Sequence, residues 1–145
     1  MQDRFAAGMA GEGAVADTRL LGGFTAIYCR GVHPASRRTA LVSDACALGV
    51  YGLRVPQVCD ECADVLRYVE KRRAYCPKDP KPFCSFCDTH CYSAEMSDRM
   101  REVMRYAGPR SMFHGYAVAG IKHVFAERAA KRAARAGRAS EKETR

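Results

Sequence analysis

Two Cys-x2-Cys pairs, Cys59–Cys62 and Cys84–Cys87, constrain this chain more than any other feature, and Cys91 follows the second pair after three residues. Two intervening residues make a tight turn that points both sulfurs at one ion. The chain carries 8 cysteines in 145 residues, an even number, so disulfides compete with metal. Compartment decides between them. The N-terminal stretch MQDRFAAGMAGEGAVADTRLL has no continuous apolar segment of the kind a signal peptide needs, and the longest apolar run, ACALGVYGL, is far too short to span a membrane. The expectation is a cytoplasmic protein away from membranes, where thiols stay reduced and clustered cysteines bind metal.

The candidate ligands are Cys29, His33, Cys59, Cys62, Cys76, Cys84, Cys87 and Cys91, with Cys46 and His90 in reserve. One partition uses each principal candidate once. Cys76, Cys84, Cys87 and Cys91 form a four-thiolate set whose C-x2-C-x3-C portion matches the end of a ferredoxin run, although no cysteine stands three positions before Cys84 and Tyr92 replaces the usual proline. That set is expected to hold a 4Fe–4S cluster. Cys29, His33, Cys59 and Cys62 then form a three-cysteine, one-histidine set suited to zinc, with Cys29-x3-His33 at one helix end and Cys59 just before another helix. Pairing the two Cys-x2-Cys motifs in a ribbon-like site, or one shared polymetal site, stays open. Cys46, between Ala45 and Ala47, reads as a small apolar residue, and the Met96/Met100/Met104 stripe as core.

Around these ligands the pattern predicts an all-α fold: a small irregular helical domain of three to four helices stapled by Cys/His metal sites. Residues 1–17, rich in Gly and Ala, read as a disordered arm. Residues 18–126 form the metal-binding domain, and 127–145 a basic tail, helical or disordered. A helix from Thr18 places Leu20, Leu21, Phe24, Ile27 and Tyr28 on one face, weakened by Gly22 and Gly23. Residues 34–57 read as an irregular loop in which Ser43 or Asp44 could cap a short helix. The segment ADVLRYVEKRRAY has acids first and bases last, which suits a helix dipole. After Ser93 as N-cap, Met96, Met100, Val103, Met104 and Ala107 recur at helical spacing, and Gly108-Pro109 is the expected stop. A last helix starts near Tyr116.

The blocks FTAIYCRGVH, VCDECADVLRYVEKR and KPFCSFCDTHCYSAEMSDRMREVMRYAGPRSMFH resemble the nitrous oxide-stimulated promoter family. The resemblance spans roughly residues 18–125 and carries the family pattern onto Cys29, His33, Cys59, Cys62, Cys76, Cys84, Cys87, His90 and Cys91. Residues 34–57 and Cys46 depart from it. The resemblance implies a role in the response to nitrogen oxides and names no reaction.

Thiolate-bound metals are targets of nitric oxide, so the leading expectation is an iron–sulfur or zinc protein that senses or survives nitrosative stress, with nitric oxide as reactant. The rival expectation is a zinc-stabilised nucleic-acid-binding or regulatory module that uses its basic helix face and tail. The formal net charge is +8, and Arg99, Arg101, Arg105, Arg110 and the tail would face phosphates. No phosphate loop, Ser-His-Asp order or paired-carboxylate motif points to an enzyme.

Overall fold

The computed structural model describes residues 2–78, 87–115 and 117–143. Contacts divide the chain into two compact units, residues 1–107 and 108–145.

In the first unit, helices α1 (Gln2–Gly8), α2 (Glu12–Val32) and α4 (Asp60–Ala74) carry most of the core. Between α2 and α4 lie a 3-10 turn (Ala35–Arg37), strand β1 (Thr39–Ala40), the one-turn helix α3 (Asp44–Ala47) and strand β2 (Gln57–Val58). The two strands pair antiparallel, Thr39 opposite Val58 and Ala40 opposite Gln57, so the fold is mostly helical rather than purely all-α. Helix α5 (Ala94–Ser111) follows, and six helices among the described residues replace the expected three to four.

Helix α4 is the central element. Its apolar stripe buries Val65, Leu66 and Val69, with Leu66 fully excluded from water. Asp60 and Glu61 open its first turn and Lys71, Arg72 and Arg73 close its last, as the helix dipole favours. Helix α2 packs along α4, and at Gly22 it also meets the segment between them: a Cβ there would come within 2.5 Å of the Tyr51 ring. Gly22 costs helix propensity, and the fold recovers that cost as packing against the 43–57 segment.

The N-terminal arm is ordered, against expectation. Phe5, Met9 and Ala14 are buried, and the edge of Phe5 meets the Tyr75 ring at the end of α4. Asp17 accepts a 2.7 Å charge-assisted hydrogen bond from Arg73. The small residues that suggested disorder permit this approach, since a side chain at Gly8 would collide with the Ala74 carbonyl. Helix α2 accordingly begins at Glu12, not Thr18.

The 34–57 segment is more structured than its sequence suggested. Ser43 does cap α3, its Oγ accepting from the Cys46 amide at 3.2 Å. Ser93 likewise receives the Met96 amide at 3.3 Å at the start of α5. Met100, Val103 and Ala107 are buried as that helix's stripe requires, while Met104 sits at its edge.

Gly108-Pro109 does not stop α5, which runs on to Ser111. Proline removes one backbone donor, and the Ser111 hydroxyl donates to the Gly108 carbonyl at 2.6 Å. The turn comes at Gly115, whose φ of +85° is the left-handed conformation that favours glycine. In the second unit, a 3-10 turn (Met112–His114) contacts helix α6 (Ala117–Glu143), so the basic tail is helical.

Candidate metal centre

Four sequence-distant side chains meet where α2 ends and α4 begins. Cys29 lies in the last turn of α2, and His33 caps that helix, its amide donating to the Cys29 carbonyl. The β1–β2 ribbon returns the chain so that Cys59 becomes the N-cap of α4, with Cys62 in its first turn. The C-x3-H and C-x2-C spacings thus each present two ligands from one helix end.

The ligand atoms of Cys29, His33, Cys59 and Cys62 all lie within 4.8 Å of one another. His33 Nδ1 is 3.3 Å from Cys59 Sγ and 3.5 Å from Cys62 Sγ. A tetrahedral zinc with ordinary bond lengths needs nitrogen–sulfur and sulfur–sulfur edges of about 3.5–3.8 Å. The donor set and its spacing therefore fit a zinc-sized ion. Cys29 and Cys59 are fully buried and Cys62 nearly so.

Electrostatics point the same way. Burial pushes the Cys29 and Cys62 thiols above the ordinary range, and the neighbouring Cys29 adds to the rise at Cys62. Three thiolates in so small a volume require a cation to offset their charge. Two features prepare the site for one: the Cys59 amide donates to Cys29 Sγ at 3.2 Å, and the α4 N-terminus favours negative charge beside Cys59 and Cys62.

His33 is held by residues that the sequence reading passed over. Its Nε2 lies 3.8 Å from Glu61 Oε2, and Glu61 Oε1 lies 3.5 Å from the Arg37 guanidinium. With Nε2 toward the carboxylate, Nδ1 faces the Cys59 and Cys62 sulfurs, the orientation that a ligating imidazole needs. The Tyr28 ring meets the imidazole edge-on at 5.7 Å between centroids. The position of Glu61 inside Cys59-x2-Cys62 was the available signal, since a residue between two ligands stays near the ion.

The second predicted set is arranged differently. Cys76 follows α4 directly, and Cys76, Cys87 and Cys91 line one small cavity with Arg72, Lys78 and Thr89. Cys84 lies outside the described residues. Among the described residues, only the Cys29/His33/Cys59/Cys62 group brings ligand atoms within metal-sharing distance. Cys87 is half-buried and Cys91 exposed. The Thr89 amide, and after it the Lys78 ammonium, hold the Cys87 thiol below its ordinary range. Lys78 also pairs with Asp88.

The reserve candidates stay apart from both groups. His90 is exposed, with a left-handed φ of +44°. Cys46 is half-buried against the core, consistent with a packing residue. Of the arginines expected to face phosphates, Arg99 pairs with Glu95 at 3.1 Å and Arg101 with Asp98 at 3.3 Å.

No described helix is long and apolar enough to cross a membrane. No solved structure matches the chain. It is 33% identical over 58 residues to a protein of Escherichia coli strain K12 called uncharacterized protein YgbA. That match covers 39% of this chain and 49% of the relative, so the chain spans about half of the relative's length. The family model described as nitrous oxide-stimulated promoter matches residues 14–136, a span that takes in every cysteine discussed above, and the chain belongs to that family.

Proposed function

We propose that this is a cytoplasmic metal–thiolate protein of the response to nitrogen oxides. The buried Cys29/His33/Cys59/Cys62 geometry carries the reading: three thiols and an imidazole nitrogen lie within 4.8 Å of one another, two of the sulfurs at 3.3 and 3.5 Å from that nitrogen. In this reading zinc at that centre ties α2 to α4. Cys76, Cys84, Cys87 and Cys91 hold a 4Fe–4S cluster, the centre exposed to nitric oxide. A cluster ligated by four thiolates carries a net charge of about −2, which the cations of Arg72 and Lys78 beside Cys76, Cys87 and Cys91 suit. The bound cluster would supply thiolate-ligated iron open to attack by nitric oxide. The chain's own part is access: Cys87 and Cys91 are reachable from solvent, whereas Cys29, Cys59 and Cys62 are sealed.

The test is purification without oxygen, followed by iron, acid-labile sulfide and zinc per chain and the visible spectrum. The expected result is about one zinc with about four irons and four sulfides. Titration with nitric oxide should then bleach the visible absorbance and leave zinc bound. A colourless protein holding only zinc would remove the cluster from this reading, and a metal-free folded protein would remove both centres.

A further inference from the structure

Helix α6 carries positive charge in an order that solubility does not require. Arg128, Lys131, Arg132, Arg135, Arg138 and Lys142 are all exposed. At about 100° per residue they fall within an arc of roughly 120° and form a stripe about 21 Å long. Off that arc, the residues from Ala126 to Lys142 are alanine, glycine and serine except for Glu127 and Glu141.

Two comparisons give the stripe a partner. On α5, Arg99 and Arg101 are held by acids one turn earlier on the same helix. On α6, Lys131 pairs with Glu127 at 3.4 Å, while Arg128, Arg132, Arg135 and Arg138 make no ion pair among the described residues. An anionic membrane is a poor fit. Beyond Phe125 the helix has no side chain larger than alanine on its apolar side, so nothing would anchor it among lipid chains. The Ala, Arg, Lys and Glu content favours helix intrinsically, so the element persists without packing along this stretch.

We infer that the basic face of α6 binds double-stranded DNA, its arginines contacting backbone phosphates and its alanine-lined body lying in the major groove. A helix of about 10–12 Å diameter fits a groove about 12 Å wide. The deep, narrow major groove of duplex RNA does not admit it. Contacts of this kind are set by charge and shape, so binding tolerates any base sequence. This inference is independent of which metals the thiolates hold.

The experiment uses the full zinc-loaded chain and a fluorescein-labelled 20-base-pair duplex DNA of arbitrary sequence, with anisotropy read from 50 to 200 mM salt. Each phosphate neutralised contributes about 0.9 to the slope of log affinity against log salt, so six contacts give a slope of about −5 and a loss of about 10³-fold over that range. The quadruple variant R128Q/R132Q/R135Q/R138Q, its helix content checked by circular dichroism, should flatten the slope by about 3.6. The R99Q/R101Q variant should leave it unchanged. Four results would each overturn the inference: no binding at 50 mM salt, a slope unaffected in the quadruple variant, equal binding of a matched RNA duplex, or binding to phosphatidylserine vesicles without binding to DNA.

Discussion

The two thiol groups of this protein have similar composition and opposite surroundings. Around Cys29, Cys59 and Cys62 the thiols are buried in the core that α2 and α4 share, and burial raises them. Around Cys76, Cys87 and Cys91 they line an accessible cavity, and at Cys87 backbone amides and a lysine lower the thiol. A buried thiol with a raised pKa becomes thiolate when a metal displaces its proton, so ion binding there is coupled to folding. A thiol whose pKa is lowered and which solvent can reach reacts more readily than a sealed one. The first arrangement suits permanence and the second exchange.

The largest effect should come from breaking the buried group. Cys59→Ser, or removal of zinc by a strong chelator at neutral pH, should cost several kcal/mol and abolish the cooperative melt, because structural zinc contributes its binding free energy to folding. Cys91→Ser in the zinc-loaded protein should shift stability by no more than about 0.5 kcal/mol. Equal melts for the two variants would erase the contrast.

Glu61→Gln tests whether the buried centre depends on its outer partner. Zinc affinity, measured against a chromophoric chelator, should fall about 10- to 100-fold with helix content unchanged. An unchanged affinity would mean that His33 is oriented without Glu61.

Thiol reactivity sharpens the comparison from the other side. In zinc-loaded, cluster-free protein, iodoacetamide should modify Cys87 well before Cys29, Cys59 or Cys62, as mapped by peptide mass spectrometry. The Cys87 thiol is lowered, so its thiolate persists to lower pH than that of an ordinary cysteine. Lys78→Gln removes part of that stabilisation and should slow modification near neutral pH. At pH values above both thiol pKa values the rates should converge.

The smallest effect concerns a buried acid at the far end of α4. Glu70 is 2% exposed and accepts a 2.5 Å hydrogen bond from the Tyr51 hydroxyl. Burial raises its carboxyl above the ordinary 4.5, so the folded state binds this proton more tightly than the unfolded chain. The contribution to stability is therefore full below the unfolded value and declines as pH rises through the folded one. Glu70→Gln should flatten that decline in urea-unfolding curves compared across pH. An identical pH dependence in both proteins would show that Glu70 titrates alike folded and unfolded.

Local order was legible in the sequence wherever a signal repeats within one element. The α4 stripe at Val65, Leu66 and Val69, its acid-to-base polarity, and the Ser43 and Ser93 caps depend on neighbours no more than a few turns away. The C-x3-H and C-x2-C spacings belong to the same class, since each is a pair of ligands on one helix end. What escaped depends on partners distant in sequence. Gly8 and Gly22 look like helix breakers until Ala74 and Tyr51 are seen against them. The Gly/Ala arm resembles disorder until Phe5 finds Tyr75, and Gly108-Pro109 resembles a stop although α5 continues through it.

The sequence by itself determined which residues can ligate metal and which helices have a face to bury, because spacing and periodicity are properties of a short chain segment. Only the tertiary structure decided that Cys29 and His33 meet Cys59 and Cys62, that Glu61 stands behind His33, and that one thiol group is sealed while the other is open. Those outcomes depend on how α2, α4 and the β1–β2 ribbon close on one another. Closure is a balance of burial and packing summed over the whole core, and no local pattern encodes it.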